Sequence, residues 1–299
     1  MKLCTFLDPA GAHRVGVVTE SGIVDVTSQV PADGAGGPMR RLLASGADLG
    51  DLRIDGPALP GPRLLAPVPD PTKIVAAPVN YADHQFEMTQ DSHIDALGVF
   101  LKAPSSLIGD GATVRLPYDD RRFDQEGELA VVIGRRASHV PTARALDHVA
   151  GYTCLLDMTM RGGEDRSVRK SFDTFTPVGP HLVTPDEVGP LEELELHTWV
   201  GGTLRQRADI RDLIWGVPAL ISYVSSVMVL EPGDIVTTGT PAGVGQVHDG
   251  EEVVVEITNV GRLGVTVTAE GAVACPTLGK DKGPKPPTEL TPVFERTPA

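Results

Sequence analysis

Phe123-Asp124-Gln125-Glu126-Gly127-Glu128-Leu129-Ala130-Val131-Val132-Ile133-Gly134 is the stretch on which the reading of this chain turns. Side chains on a β-strand repeat every two residues, so Glu126 and Glu128 share a face. Ala130 and Val132 continue that face as apolar residues, which carries the strand into a core. Two carboxylates held together in a core repel each other and lose their hydration unless a cation sits between them. A third acid, Asp157, closes the apolar run 149–156. Taken singly, each acid has a bland alternative: a solvated strand face for Glu126 and Glu128, a turn or cap acid for Asp157. Together they form an all-oxygen donor set that suits Mg²⁺ or Mn²⁺, with Ca²⁺ as a third option.

Outward from this strand, the segments 149–157, 194–202, 234–240, 251–257 and 262–270 also read as strands, rich in Val, Ile, Thr and Leu. One long helix is expected among them, around 210–227. With 33 glycines and 26 prolines among 299 residues, the chain has the punctuation of many tight turns. The expected class is α+β, mostly β, with an antiparallel or mixed sheet. Short strand-like runs at 2–8, 13–20 and 22–27 and a helix at 38–46 suggest a small N-terminal β-rich cap domain over 1–66. Prolines 57, 60, 62, 67, 69 and 71 mark a stiff connector into a main domain over 67–275. Residues 276–299, rich in Pro, Lys and Thr, read as a flexible tail.

A formal net charge of −14 without a basic run argues against nucleic acid and anionic membrane surfaces as partners. It leaves small anions open, because a few placed cations or a bound metal dominate the field within a cleft. Cys4, Cys154 and Cys275 are odd in number, widely spaced and outside any Cys-x-x-Cys pattern, so a reducing, cytoplasmic setting is expected. The N-terminal apolar stretch is too short for a signal-peptide core. The uncharged stretch 213–230 is interrupted by Gly216, Pro218 and three serines, and its apolar residues fall at helical spacing, which favours a buried soluble helix over a membrane span. The glycine-rich 239–245 lacks a Gly-Lys-Ser/Thr ending and leads into a strand, which disfavours a phosphate loop.

The chain resembles the fumarylacetoacetate hydrolase family from about residue 73 to 267. The landmarks, in family order, are KIVAAPVNYADH (73–84), FLKAPSSLIGDG (100–111), DQEGELAVVIGRRA (124–137), AGYTCLLDMTMR (150–161), KSFDTFTPVGPHLVTPDE (170–187) and LEPGDIVTTGTPAGVG (230–245). The resemblance implies a β-sandwich-like roll, usually a homodimer, with Glu126, Glu128 and Asp157 as ligands of a divalent metal. It further implies that Lys170 lies beside the metal and stabilises an enolate or carbonyl oxygen. His84 and Glu87, three apart and adjacent if 81–88 is helical, would form the pair that activates water. Tyr81, Lys102, Arg161 and Thr240 become pocket residues by their motif positions.

Departures bear on the substrate. After Asp157 many relatives carry an Arg-Asp-x-Gln pattern and a longer loop bearing an aromatic residue, whereas this chain reads Arg161-Gly162-Gly163-Glu164-Asp165-Arg166-Ser167-Val168-Arg169-Lys170. Glu164 stands where an amide donor would meet the substrate, and Arg166 or Arg169 would compensate. Pro78, where glycine is frequent, would stiffen the hinge next to His84. The expected activity is metal-dependent hydrolysis of a carbon–carbon bond in a small 1,3-dicarbonyl oxo-acid, such as an acylpyruvate. The alternatives are decarboxylation, hydration or enol–keto isomerisation in the same family, and outside it an inactive scaffold.

Overall fold

Every position of the strand Gly127–Ile133 is buried, because it has a partner on each side. Val149–Leu156 pairs antiparallel with it along one edge and Ile235–Thr237 antiparallel along the other. The computed structural model describes residues 1–293, and within them this strand lies inside an eleven-stranded mixed sheet. Across that sheet run Ala58–Leu59, Gly22–Asp25, His13–Thr19, Lys2–Leu7, Thr176–Val183, Val149–Leu156, Gly127–Ile133, Ile235–Thr237, Ile74–Ala76 and Phe100–Lys102, with Leu107–Ile108 joined to Thr176–Val183. A second sheet has the order Thr203–Asp209, Glu195–Val200, Glu252–Ile257, Gly261–Thr268, Thr113–Arg115. Three short strands, Thr159–Met160, Phe123–Gln125 and Gly245–Gln246, form a third. Most pairings are antiparallel, as expected, and three short ones are parallel.

The main core lies between the two larger sheets. Leu129, Val131, Ile133 and Cys154 belong to one buried cluster with Leu196, Val255 and Leu263. The sheets come close beside the two glutamates: a Cβ on Gly127 would meet the Thr198 hydroxyl and lie 3.2 Å from a Val255 methyl. A side chain at this point would push the sheets apart, which explains the glycine between the acids.

The sequence divides at its proline-rich stretch, but the main sheet runs across that division. Lys2–Leu7 pairs antiparallel with Thr176–Val183, so the N-terminal strands prolong the sheet that carries the acids. The connector is bound along its length: Ala58–Leu59 joins the sheet edge, the Leu65 amide donates to the Thr5 carbonyl, and the Thr5 hydroxyl donates to the Pro67 carbonyl at 2.6 Å.

Two expectations need correction. The long helix over 210–227 is broken into a 3₁₀ turn, Ile210–Asp212, and a helix, Val217–Val227. Gly216 is extended and Pro218, which lacks an amide hydrogen, stands in the first turn, where such a loss costs nothing. The segment read as a free tail folds back over the described part of its length: the Gly163 amide donates to the Gly279 carbonyl and the Thr291 hydroxyl donates to Glu87. Residues 294–299 of that expected tail lie outside the described residues. Among the described residues no helix is long and apolar enough to cross a membrane.

Asp234, fully buried, ties the end of the connector to the central strands. Its carboxylate accepts from the Thr72 amide and hydroxyl, the Lys73 amide, the Lys73 ammonium at 2.5 Å and the Glu231 amide. Asp234→Ala strands these donors and a lysine, and is expected to lower unfolding free energy by about 3 kcal/mol. Urea denaturation followed by fluorescence would measure it, and a loss within experimental error would remove Asp234 from the clamp.

Candidate metal centre and active site

The register of two strands brings the acids together. Gly127 faces Leu156 across the ladder, so the residues flanking that pair, Glu126 and Asp157, meet, and the Asp157 amide donates to the Glu126 carbonyl at 2.8 Å. Glu128 follows on the same strand. One carboxylate oxygen from each of Glu126, Glu128 and Asp157 lies within 4.8 Å of the others, and all three residues are buried. An all-carboxylate set of this spacing fits a hard divalent cation.

Cations and amide donors surround the acids. The Lys170 ammonium donates to Glu126 at 2.5 Å and also to Asp157. Arg161 bridges Glu126 at 2.9 Å and the fully buried Asp124 at 2.6 Å. Glu128 accepts from the Thr237 hydroxyl and from the Gly239 amide at 2.8 Å. These charges act unequally. Burial works to raise the Glu126 carboxyl, but Lys170 and Arg161 outweigh it and hold this acid far below the usual carboxylate range. Glu128 is pushed up to about 8 by burial and by neighbouring Asp157, with Lys170 only partly opposing. Without a further cation, Glu128 is the carboxylate whose burial and neighbours favour the protonated form.

His84 and Glu87 meet as their spacing predicts. The helix Ala82–Glu87 places His84 Nδ1 2.9 Å from Glu87 Oε2, and the imidazole also lines the pocket above the acids. Glu87 Oε1 accepts from the Gly243 amide at 2.8 Å and the Thr291 hydroxyl at 2.5 Å. Burial would raise this carboxyl, yet the hydrogen bond from His84 and those from Thr291 and Gly243 keep it below its ordinary value.

Of the expected pocket residues, Arg161 and Thr240 line the cavity. Thr240 is fixed there by its hydroxyl, which donates to the Gly127 carbonyl at 2.9 Å and accepts from Gln206 at 2.7 Å. Three others sit elsewhere. Lys102 is sealed behind Asp157, donating to its carboxylate at 2.5 Å and to the Lys170 and Phe175 carbonyls, so it holds Asp157 in place and does not line the pocket. Tyr81 is buried in the main core, where desolvation and Glu128 hold its phenol well above the ordinary range. Glu164 turns away to Arg121 at 2.7 Å and to Thr277, and the Arg121 bond holds its carboxyl down at about 2. The pocket is lined as well by Arg166 and Arg169, which the sequence offered in place of the amide donor, and by Phe100, with the Lys170 ammonium 5.3 Å from the Phe100 ring centre.

Residues that sequence reasoning did not single out are those that hold other residues: Asp124, Thr237 and Gln206. The Gln206 side chain accepts from the Gly127 amide at 2.9 Å while donating to Thr240. Only Thr237 carried a local signal, its place at the start of the glycine-rich turn. That turn needs its glycines: Gly239 has φ +90° and Gly243 φ +98°, and a Cβ on Gly243 would strike the Arg205 carbonyl.

Residues 73–268 match the family model described as fumarylacetoacetate (FAA) hydrolase C-terminal. The chain is 42% identical to maleylpyruvate hydrolase of Aquipseudomonas alcaligenes, with 89% of this chain and 99% of the relative covered. It is 38% identical to 2,4-didehydro-3-deoxy-L-rhamnonate hydrolase of Sphingomonas sp. strain SKA58, covering 89% and 92%. Among solved structures, maleylpyruvate hydrolase from Sphingobium sp. SYK-6 in complex with manganese(II) and pyruvate superimposes with a TM-score of 0.76 at 40% identity, over 90% of this chain and 99% of the other.

Because Glu128 must be ionised to ligate, cation binding displaces a proton at any pH below about 8. The apparent Mn²⁺ affinity measured by calorimetry is expected to tighten by about tenfold per pH unit up to that point and to level off above it. A flat profile between pH 6 and 8 would contradict this assignment of the proton.

Proposed function

The chain belongs to the fumarylacetoacetate hydrolase family, and from that premise we propose that it hydrolyses the carbon–carbon bond of an acylpyruvate, releasing pyruvate and a carboxylic acid. The observation that carries the reading is one pocket lined by Glu126, Glu128, Lys170 and His84, with Asp157 closing the carboxylate cluster beneath Lys170 and Glu87 hydrogen-bonded to the imidazole. Glu126, Glu128 and Asp157 would hold the cation, Mn²⁺ as in the Sphingobium relative or Mg²⁺. That cation supplies Lewis-acid polarisation of the substrate's dicarbonyl oxygens.

The remaining work falls to side chains. Glu87, hydrogen-bonded to Nδ1, orients the imidazole and favours the tautomer whose other nitrogen accepts a proton from water. The water oxygen adds to the acyl carbonyl carbon. The bond from that carbon to the pyruvate methylene then breaks, and its electron pair passes into the pyruvyl enolate. Lys170 faces that negative charge as it develops. Return of the proton to the methylene carbon yields pyruvate, so that one water is consumed and no electrons are lost or gained. Arg161, Arg166 and Arg169 along the pocket favour an anionic substrate in a chain whose net charge is −14.

We place the enzyme in the cytoplasm, supported by three free cysteines, and propose that it works as a homodimer. With Mn²⁺ present, purified protein is expected to release pyruvate from an acylpyruvate, read by a coupled lactate dehydrogenase assay. His84→Ala is expected to cut kcat by at least about a hundredfold while Mn²⁺ binding persists. Wild-type protein that leaves a panel of acylpyruvates intact would sink the reading.

A further inference from the structure

The segment after residue 275 lies beyond residue 268, where the family match ends, yet it is attached to the active site at both ends. Near its start, the Thr277 hydroxyl donates to Glu164, Arg121 reaches both Thr277 and Cys275 at 3.1 Å, and the Gly279 carbonyl accepts from Gly163. These contacts fasten it to the loop that leads into Arg166, Arg169 and Lys170. Midway, Pro284 forms part of the pocket wall. Farther on, Leu290 packs over Gly245, and the Thr291 hydroxyl donates to Glu87 at 2.5 Å. The strap thus runs from the loop carrying the pocket's arginines to the helix carrying its imidazole.

Glu87 has two oxygens. Oε2 faces His84 Nδ1, and Oε1 is held by the Gly243 amide and the Thr291 hydroxyl. The Gly243 amide belongs to a turn fixed by close backbone approach, while Ala82–Glu87 is a helix of under two turns with exposed Phe86 at its end. A helix this short does not hold its own geometry in water. The second donor on Oε1 therefore comes from a part of the chain outside the family match, and it sets the plane of the carboxylate that aims the imidazole.

We propose that Thr291 is a positioning residue, acting through Glu87 on His84, and that the 276–293 strap is an added part of the active site of this chain. The proposal deepens the hydrolase reading and rests on it for the consequence in turnover. It does not rest on it for the contact itself, so the test has two arms.

In the full-length protein, Thr291→Val removes the donor at nearly constant shape and Thr291→Ser keeps it. Thr291→Val is expected to lower kcat for the acylpyruvate about tenfold with KM within about twofold of wild type, and Thr291→Ser to restore kcat. A unchanged kcat, or a loss that serine does not restore, overturns the positioning role. Amide hydrogen exchange supplies the arm that needs no turnover: residues 82–88 are expected to exchange several-fold faster in Thr291→Val and at the wild-type rate in Thr291→Ser. Unaltered exchange in the valine variant overturns the strap. If wild-type protein cleaves no acylpyruvate, the assigned reaction fails, and the exchange arm still decides the contact.

Discussion

Burial of three carboxylates at one point is the constraint on which this structure depends. In a low-dielectric interior, like charges a few ångströms apart are strongly unfavourable, and such a cluster persists only with positive charge supplied to it. The fold supplies Lys170 and Arg161 from one side and Lys102 from behind, whereas the hydrogen bonds to Glu128 among the described residues come from a hydroxyl and an amide. A divalent cation completes what the protein's own cations leave unfinished.

Much of the surrounding architecture keeps those acids where they are. Two central strands in antiparallel register deliver Glu126 and Asp157 to the same spot, and a glycine between the glutamates lets the second sheet close over them. Gln206 and Thr240 tie the strand backbone to the glycine-rich turn, whose next residues hold Glu87. One hydrogen-bonded chain thereby links the strand carrying the two glutamates to the His84–Glu87 pair. The acids stand on buried central strands, whereas the His84–Glu87 helix is short and depends on contacts from outside itself.

The sequence and the structure agree most closely where a pattern is local. The stretch 123–134 read correctly as buried and extended with two acids side by side, although it divides at Glu126 into Phe123–Gln125 and Gly127–Ile133 of different sheets, and the spacing of His84 and Glu87 read correctly as a helical pair. Agreement fails where a residue's role depends on its partner in space. Lys102 and Glu164 were expected to touch substrate, and each is instead consumed by an opposite charge, Asp157 for one and Arg121 for the other. Tyr81 went the same way, drawn into the apolar core. The uniform apolar pattern over 210–227 suggested a single helix, because periodicity does not register the extended Gly216 that separates the turn from the helix.

By itself the sequence determined the class of fold, the grouping of the three acids and the pairing of His84 with Glu87. Side-chain periods of two and of about 3.6, which are properties of the local backbone, put Glu126 beside Glu128 and His84 beside Glu87, and the family resemblance added the roles expected of them. Only the tertiary structure decided which cation meets which acid, that the second sheet closes over Gly127, and that the C-terminal segment returns to hold Glu87. The physical reason is that these contacts join residues far apart in the chain, 204 positions for Thr291 and Glu87, or choose one partner among several of like charge. Composition marked the last segment as lacking a core of its own, but a segment can be ordered by contacts that others provide.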